Sequence, residues 1–430
     1  MTDDSSPASS RSAEIAWVLL DWAASAFSTI LITLVVAYAE KIVFARDVWG
    51  VPGGVVWAWI MAAAMLASAA LAPSLAAWAD RTHGHRRALL ASVVVGSGAC
   101  LLLAAVPPGL RVAVAAAIVV ACVGFDMAAI FTGSLLPRLA TGRSADRLSA
   151  LGFAAGYLGG AIALLLATAV VAARDRLGLD PAAALRISFA IMGGWWLFFS
   201  LPAAVVRMGD APSAAHAATS VAELFGFARS LLRDDGGAGS LGSTLAGTVI
   251  ILGAVQTAIS QFSSLAIEEF HLESAALVRL VLLVQFVALP GALFIGWLST
   301  RWSRRGAIAV CLAGWAAVLV LAWFVRTPTE LTWLAVLLAL VLGGVQSVLR
   351  ANVAVLAPRG RFGATFGLMQ VGTKLAGFVA SLVFGGMYAA TGQPRSGVLA
   401  LLAQIVVGWW VLARRDRLKP VLPNGEHVLH

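Results

Sequence analysis

The sequence predicts an all-α membrane protein with twelve transmembrane helices, and three observations carry the prediction. Of the 430 residues, 60% are hydrophobic and only 12% are charged. The mean hydropathy of +0.90 lies far above that of a soluble domain. Apolar stretches of about 20 residues, the length that crosses a bilayer, recur along the chain with short Arg-rich segments between them. The predicted spans, numbered 1 to 12, cover roughly residues 15–40, 55–79, 88–106, 111–137, 148–172, 185–206, 243–267, 275–298, 306–325, 331–357, 364–389 and 396–413.

The distribution of Lys and Arg predicts which side each loop faces. Positive charge near span ends is retained in the cytoplasm; with the N-terminus inside, 19 Lys and Arg fall in cytoplasmic segments and 8 in outer ones. We therefore expect both termini inside, in a multi-pass protein of the cell membrane. Residues 1–14 and 414–430 are expected to form cytoplasmic tails, the first of them disordered. The same bias accounts for the net charge of +9, so no nucleic-acid partner is expected.

The cysteines and histidines give no sign of a catalytic or metal site. Cys100, Cys122 and Cys311 all lie in predicted spans, where they pack as small apolar side chains, and no disulfide or metal-ligand spacing occurs. The six histidines fall in predicted loops or tails, and no phosphate-binding GxxxxGK(S/T) sequence is present. The sequence therefore predicts neither an enzyme nor ATP-driven transport, and no cofactor.

An internal repeat predicts two pseudo-symmetric halves. The loop after span 2 reads "AAWADRTHGHRR" from Ala76, and the loop after span 8 reads "GWLSTRWSRRG" from Gly296. Six spans precede residues 207–242 and six follow, and this segment is richer in Ser, Gly, Asp and Arg than its neighbours. We expect two six-helix bundles, residues 15–206 and 243–413, joined by a cytoplasmic linker over 207–242.

This layout, with a "GxxxDRxGRR"-type loop between spans 2 and 3, resembles the major facilitator superfamily. Finer motifs resemble its vacuole-effluxer branch, the fungal autophagy-related vacuolar amino-acid exporters and their bacterial relatives, and they occur in both halves. These motifs are "LLDWAASAFSTI" at 19–30, "SLLPRLA" at 134–140, "DRLSALGFAAGYLGG" at 146–160, "GGVQSVLRANVAVLAP" at 343–358 and "FGLMQVGTKLAGF" at 366–378.

The loops depart from the superfamily pattern at several positions. One residue is inserted between Asp80 and Gly84, Ala76 stands in place of a glycine, and Thr300 and Ser303 stand where Asp and Gly are expected. These departures weaken the assignment of a substrate from the resemblance and leave the fold that it implies unaffected.

The resemblance implies a gate at the cytoplasmic ends of the helices. Two bundles are expected to move around a central cavity lined by spans 1, 4, 7 and 10 and flanked by spans 2, 5, 8 and 11. Asp80 is placed near the N-terminal end of span 11, where the partial positive charge of a helix N-terminus favours a carboxylate. The expected gating residues are Asp80, Arg81, Arg86, Arg87 and Arg301.

Charged residues deep inside predicted spans are costly and therefore indicate function. Asp21 and Asp126 are the acids well within spans, and Arg350 and Lys374 are the deep bases. From a helix rise of about 1.5 Å per residue, Asp126 and Lys374 lie near the midplane. Asp21 and Arg350 share a depth about eight residues from the cytoplasmic ends of their spans.

A cavity with carboxylates, cations and amides suits a small zwitterion, whose carboxylate would bind Lys374 or Arg350 and whose ammonium would bind Asp21 or Asp126. Two alternatives stay open: Asp21 with Arg350 as a structural ion pair, and Lys374 paired with Asp126. The glutamines serve equally well as helix–helix hydrogen bonds. The candidate substrate-binding residues are Asp21, Asp126, Gln256, Gln261, Gln346, Arg350, Asn352, Gln370 and Lys374.

The sequence therefore predicts a secondary active transporter that moves a small polar solute, such as an amino acid, by proton-coupled efflux and alternating access. Asp126 is the better candidate for the proton-carrying group. The alternatives are multidrug or sugar efflux by the same fold, or a non-transporting or lipid-handling protein. The expected partners are a small-molecule substrate, the lipid bilayer and protons, and the chain is expected to be a monomer.

Overall fold

A computed structural model describes residues 11–45, 53–208, 226–231, 239–270, 274–391 and 393–414. Within this part of the chain, twelve helices are long and apolar enough to cross a membrane, which confirms the predicted number. They are α1 (Arg11–Val43), α2 (Gly53–Thr82), α3 (His85–Ala105), α4 (Arg111–Leu139), α5 (Gly142–Ala172), α6 (Pro181–Ser200), α7 (Gly239–Phe270), α8 (Ser274–Arg301), α9 (Arg304–Ala322), α10 (Pro328–Leu356), α11 (Phe362–Thr391) and α12 (Pro394–Arg414).

Local sequence signals explain where several helices begin. Thr141 and Ser144 form a reciprocal cap at the start of α5, and the Asp180 side chain accepts hydrogen bonds from two backbone amides of α6. Ser303 caps α9 through the amide of Gly306. Each cap satisfies backbone N–H groups that have no partner inside the helix.

The helices extend beyond several predicted boundaries. Residues 11–14, assigned to the disordered tail, form the first turn of α1, while residues 1–10 and 415–430 lie outside the described residues. Within the predicted linker, residues 226–231 are helical and α7 already begins at Gly239. His85, expected in a loop, is the first residue of α3 and is buried. These boundaries differ from the prediction because several helices continue into polar residues beyond their apolar segments. Hydropathy detects only the apolar segment of each helix.

Each half of the chain has an apolar core that includes large aromatic side chains. Trp17, Phe27 and Trp196 are buried in the N-terminal half, and Trp315 is buried among Leu, Ile and Val side chains in the C-terminal half. Large apolar side chains on the outside are widely exposed, for example Leu66 at 74%. Such an exterior fits hydrocarbon as solvent, which imposes no cost on exposed apolar groups.

The two halves meet through α5 with α8 and α10, and through α2 and α4 with α11. Because successive helices run in opposite directions, the turns containing residues 82–85, 139–142, 301–304 and 356–362 share one end of the molecule. We call this end the joined end, since several of the side-chain contacts described below tie the halves together there. Our prediction from the Lys and Arg distribution is that the joined end faces the cytoplasm.

Candidate functional site

Asp21 in α1 and Arg350 in α10 form an ion pair between the two halves. Arg350 Nη1 donates to Asp21 Oδ1 over 3.1 Å, and Nη2 donates to Oδ2 over 2.7 Å. The guanidinium lies over the rings of Trp17 and Phe153, 4.6 and 4.3 Å from their centroids. The two parallel hydrogen bonds and the two aromatic rings together restrict the orientation of the guanidinium.

Ser149 in α5 binds two further donors of this guanidinium. Arg350 Nε donates to Ser149 Oγ and Nη2 donates to Ser149 O, both over 3.0 Å. Ser149 Oγ in turn donates to the carbonyl of Ser347 in α10 over 2.8 Å. The Asp21 and Arg350 side chains retain only 18% and 11% of their exposure. In this conformation Arg350 therefore links α10 to α1 and α5. We call such a contact between helices a tie; it leaves few N–H groups of Arg350 to bind a ligand.

A second inter-half ion pair lies near the middle of the helices. Lys374 Nζ in α11 lies 3.0 Å from Asp126 Oδ1 in α4, and Ser68 Oγ in α2 donates to Asp126 Oδ2 over 2.8 Å. The Asp126 side chain is 4% exposed, whereas Lys374 retains 30%. An ammonium has three donors, so this partly exposed cation is chemically suited to bind an anionic group while it contacts Asp126.

The predicted amide side chains differ from one another in burial and in hydrogen bonding. Gln346 Nε2 lies 3.4 Å from the hydroxyl of Tyr157 in α5, and Asn352 is buried. Gln256 is exposed, and Gln261 and Gln370 are half-buried; within the described residues these three make no side-chain hydrogen bond. The structure thus joins the predicted charges into two pairs, and among the described residues none of the hydrogen bonds that these charges form comes from a predicted amide.

Asp80 connects the α2–α3 turn to the other half of the protein. Its Oδ1 and Oδ2 accept hydrogen bonds from the backbone amides of Gly363 and Ala364, over 2.9 and 2.8 Å. These amides belong to the first turn of α11, so the carboxylate caps that helix and meets its positive end. The placement agrees with the expectation for Asp80, and its gating role stays a prediction.

The predicted gating arginines behave differently from one another. Arg86 donates to the carbonyls of Ala203 and Ala204, within its own half, and Arg81, Arg87 and Arg301 are exposed.

Arg304, three residues after Arg301, also contacts the other half. Its Nε and Nη2 donate to Asp146 Oδ1 and Oδ2 in α5, over 2.7 and 3.0 Å.

Sequence reasoning missed the partners that complete these contacts. Asp146 was placed in a loop, yet it lies in α5 and its side chain is 3% exposed. Ser68 and Ser149 are small polar residues in apolar spans, and such residues are common at helix contacts. Hydropathy does not show which serines in a span bind a charged side chain. Only the tertiary contacts distinguish Ser68 and Ser149 from the other serines.

Twelve helices of membrane-spanning length among the described residues, in two halves joined by ion pairs, are the architecture of a transporter of the major facilitator type. The chain belongs to the family described as vacuole effluxer Atg22 like, whose model matches residues 56–419. It is therefore a multi-pass membrane transporter and not an enzyme, and the resemblance in the sequence motifs is confirmed.

Relatives and solved structures agree with this assignment. The chain is 26% identical over 407 residues to a Bacillus subtilis (strain 168) protein described as an uncharacterized MFS-type transporter, YxiO, with 93% of this chain and 94% of that protein covered. It resembles the E. coli fucose:proton symporter FucP, with a TM-score of 0.72, 13% identity and coverage of 94% and 98%. It also resembles the human organic anion transporter MFSD10, with a TM-score of 0.72, 16% identity and coverage of 94% and 99%. At these identities the structures show the fold alone.

Proposed function

We propose that this transporter moves a small zwitterion, such as an amino acid, out of the cytoplasm across the cell membrane, and that proton movement drives the transport. The observation that carries the proposal is the pair formed by Asp126 and Lys374, 3.0 Å apart on opposite halves. The family description as vacuole effluxers supports the direction.

The charges of this pair match those of a zwitterion. A ligand carboxylate can take the place of Asp126 at the ammonium of Lys374, and a ligand ammonium can take the place of Lys374 at Asp126. Ser68 stays hydrogen-bonded to Asp126 and keeps the carboxylate oriented. After this exchange each charge still has a partner of opposite sign in a region of low dielectric, where an unpaired charge is costly.

The same exchange links binding to movement of the halves. The contact between Asp126 and Lys374 connects α4 to α11, so its replacement by ligand contacts alters the connection between the bundles. The ties of Asp21 with Arg350, of Asp80 with α11 and of Asp146 with Arg304 close the joined end. Alternating access requires all three to separate when this end opens.

Asp126 is the proposed coupling group. Protonation neutralises its carboxylate, which removes the Coulombic attraction for the ammonium of a ligand. The proton and the ligand ammonium therefore compete for one carboxylate. This competition gives export of the solute in exchange for protons.

A ligand screen followed by transport assays tests the proposal. Purified protein is heated with amino acids, sugars, nucleosides and organic anions, since selective binding raises the melting temperature. Proteoliposomes then measure accumulation of the best ligand with and without a proton gradient. We expect an amino acid or related zwitterion to give the largest shift and to accumulate only with the gradient. Selective stabilisation by uncharged sugars would overturn the zwitterion assignment, and accumulation without a gradient would overturn proton coupling.

A further inference from the structure

The turn between α2 and α3 carries two histidines in contrasting environments. His83 is half-buried in the turn, with a φ of 52°, whereas His85 opens α3 and is 1% exposed. The proposed function uses neither of them. Histidine is the side chain whose ordinary titration falls between about pH 5 and pH 8, so a buried histidine at a moving contact requires an explanation.

His85 shares the carboxylate that caps α11. Its Nε2 lies 3.1 Å from Asp80 Oδ1, the same oxygen that accepts the hydrogen bond from the Gly363 amide. Its Nδ1 lies 2.9 Å from Ser134 Oγ in α4. The imidazole thus bridges α2 and α4 directly beside the point where the other half is attached.

The hydrogen bonds around the ring accommodate two protonation states. Ser134 Oγ lies 2.9 Å from the Phe131 carbonyl and can donate to it; His85 Nδ1 must then carry a proton, and a second proton on Nε2 makes the ring a cation 3.1 Å from the Asp80 carboxylate. If the Ser134 hydroxyl instead donates to Nδ1, the neutral ring carries its proton on Nε2, on the side that faces Asp80. Rotation of one hydroxyl therefore serves both states without movement of the ring.

The electrostatic surroundings determine which form of the transporter binds the extra proton better. The first turn of α11 carries about half a positive charge, and Arg138 in α4 adds positive charge near the ring; Asp80 is the acid, and His83 is the other titratable side chain nearby. In the joined form an imidazolium is buried among these groups. When α11 withdraws, its partial charge leaves and water reaches the ring, and both changes favour the cation.

We propose that His85 is a proton-binding site of the joined end, and that proton uptake there favours separation of α11 from Asp80. The site is distinct from Asp126, which lies near the middle of the helices. Acidification on the side that the joined end faces therefore opens that end.

Spin-label distances measure the separation directly in the full-length protein. Labels are placed at Arg143→Cys in α5 and Arg359→Cys in the turn before α11, both exposed, while the three native cysteines are buried. In liposomes we expect the ratio of separated to joined molecules to rise about tenfold from about pH 8 to about pH 5.5. His85→Gln should abolish the change, and the matched control His83→Asn should retain it, since Asn tolerates positive φ.

Several results would overturn the proposal: no pH response in the labelled parent, a full response in His85→Gln, or equal loss in His83→Asn. If His85→Gln does not fold, histidine NMR of the unsubstituted chain decides, because a buried histidine that does not titrate between these pH values excludes the site. The measurement needs no substrate. If the pH response of the spin-label distances persists in Asp126→Asn, then the His85 site acts independently of the coupling group in the proposed function.

Discussion

The carboxylate of Asp21 and the guanidinium of Arg350 face each other across the two halves, with both oxygens bound by parallel N–H groups at 3.1 and 2.7 Å. A planar, bidentate arginine thus forms a fixed tie toward the joined end. A lysine, which exchanges partners more readily, occupies the middle of the membrane at position 374. Arg350 and Lys374 therefore differ in chemistry as well as in exposure.

Gly152 makes the Asp21 tie possible, and its substitution should loosen the joined end. A Cβ there would lie 2.2 Å from Asp21 Oδ2 and 2.9 Å from Arg350 Nη2. We expect Gly152→Ala to destabilise the joined form by about 1–3 kcal/mol, as overpacking commonly does, and to lengthen the spin-label distance across the halves. Gly194→Ala is the control, because a Cβ there meets nothing within 4 Å. Identical distance distributions in both variants would refute this role for Gly152.

Arg304, rather than Arg301, should hold the α5–α9 contact. Arg304→Gln leaves the buried Asp146 carboxylate without its partner, and we expect a loss of about 2 kcal/mol of joined-form stability, at the low end for such pairs because Arg304 is 20% exposed. Arg301→Gln, on an exposed side chain, should change stability by less than about 0.5 kcal/mol. Spin-label populations measure both. Equal effects of the two variants would contradict the assignment.

Asp80→Asn should open the joined end by weakening the cap on α11. Loss of a charged cap costs about 1 kcal/mol, which raises the reactivity of cysteines introduced at the joined end. Asp180→Asn provides a matched control, since Asp180 caps α6 by the same chemistry within one half. Unchanged labelling at both ends of the protein in Asp80→Asn would exclude a gating role.

Asp126→Asn should separate proton coupling from solute exchange. The amide keeps a hydrogen-bonding group near Ser68 but cannot carry the proton, so gradient-driven accumulation should be lost. Counterflow exchange should be largely retained, because exchange needs binding and movement of the halves without net proton transfer. Radiolabelled solute in proteoliposomes measures both activities. Equal loss of both would assign Asp126 to binding or folding instead.

Lys374→Ala should leave the protein folded but remove ligand binding, and Lys374→Arg should not restore it fully. The site needs a compact ammonium that can leave Asp126 for a ligand, and a planar guanidinium has different geometry and hydration. Melting temperature and ligand-induced shift are measured on both variants. A normal ligand shift in Lys374→Ala, or complete rescue by Arg, would show that this lysine is structural.

Much of the fold follows from the sequence because the thickness and apolar interior of the bilayer set the length and hydropathy of each transmembrane helix. Twelve spans were predicted and the described residues contain twelve, since about 20 apolar residues are needed wherever the chain crosses. The position of each charge along its helix also follows from the sequence, because a helix has a fixed rise per residue. These positions group Asp126 with Lys374, and Asp21 with Arg350.

The partners of those charges could not be predicted in the same way. The sequence by itself determined the class of protein, the number of membrane-spanning helices and the position of each charge along its own helix. The tertiary structure decided that Arg350 is held by Ser149 as well as Asp21, that Arg304 crosses to Asp146, and that His85 shares the carboxylate of Asp80. Helix periodicity fixes where a side chain lies along its own helix. The rotation of that helix and the identity of its neighbour depend on packing among all twelve helices, which no single segment encodes.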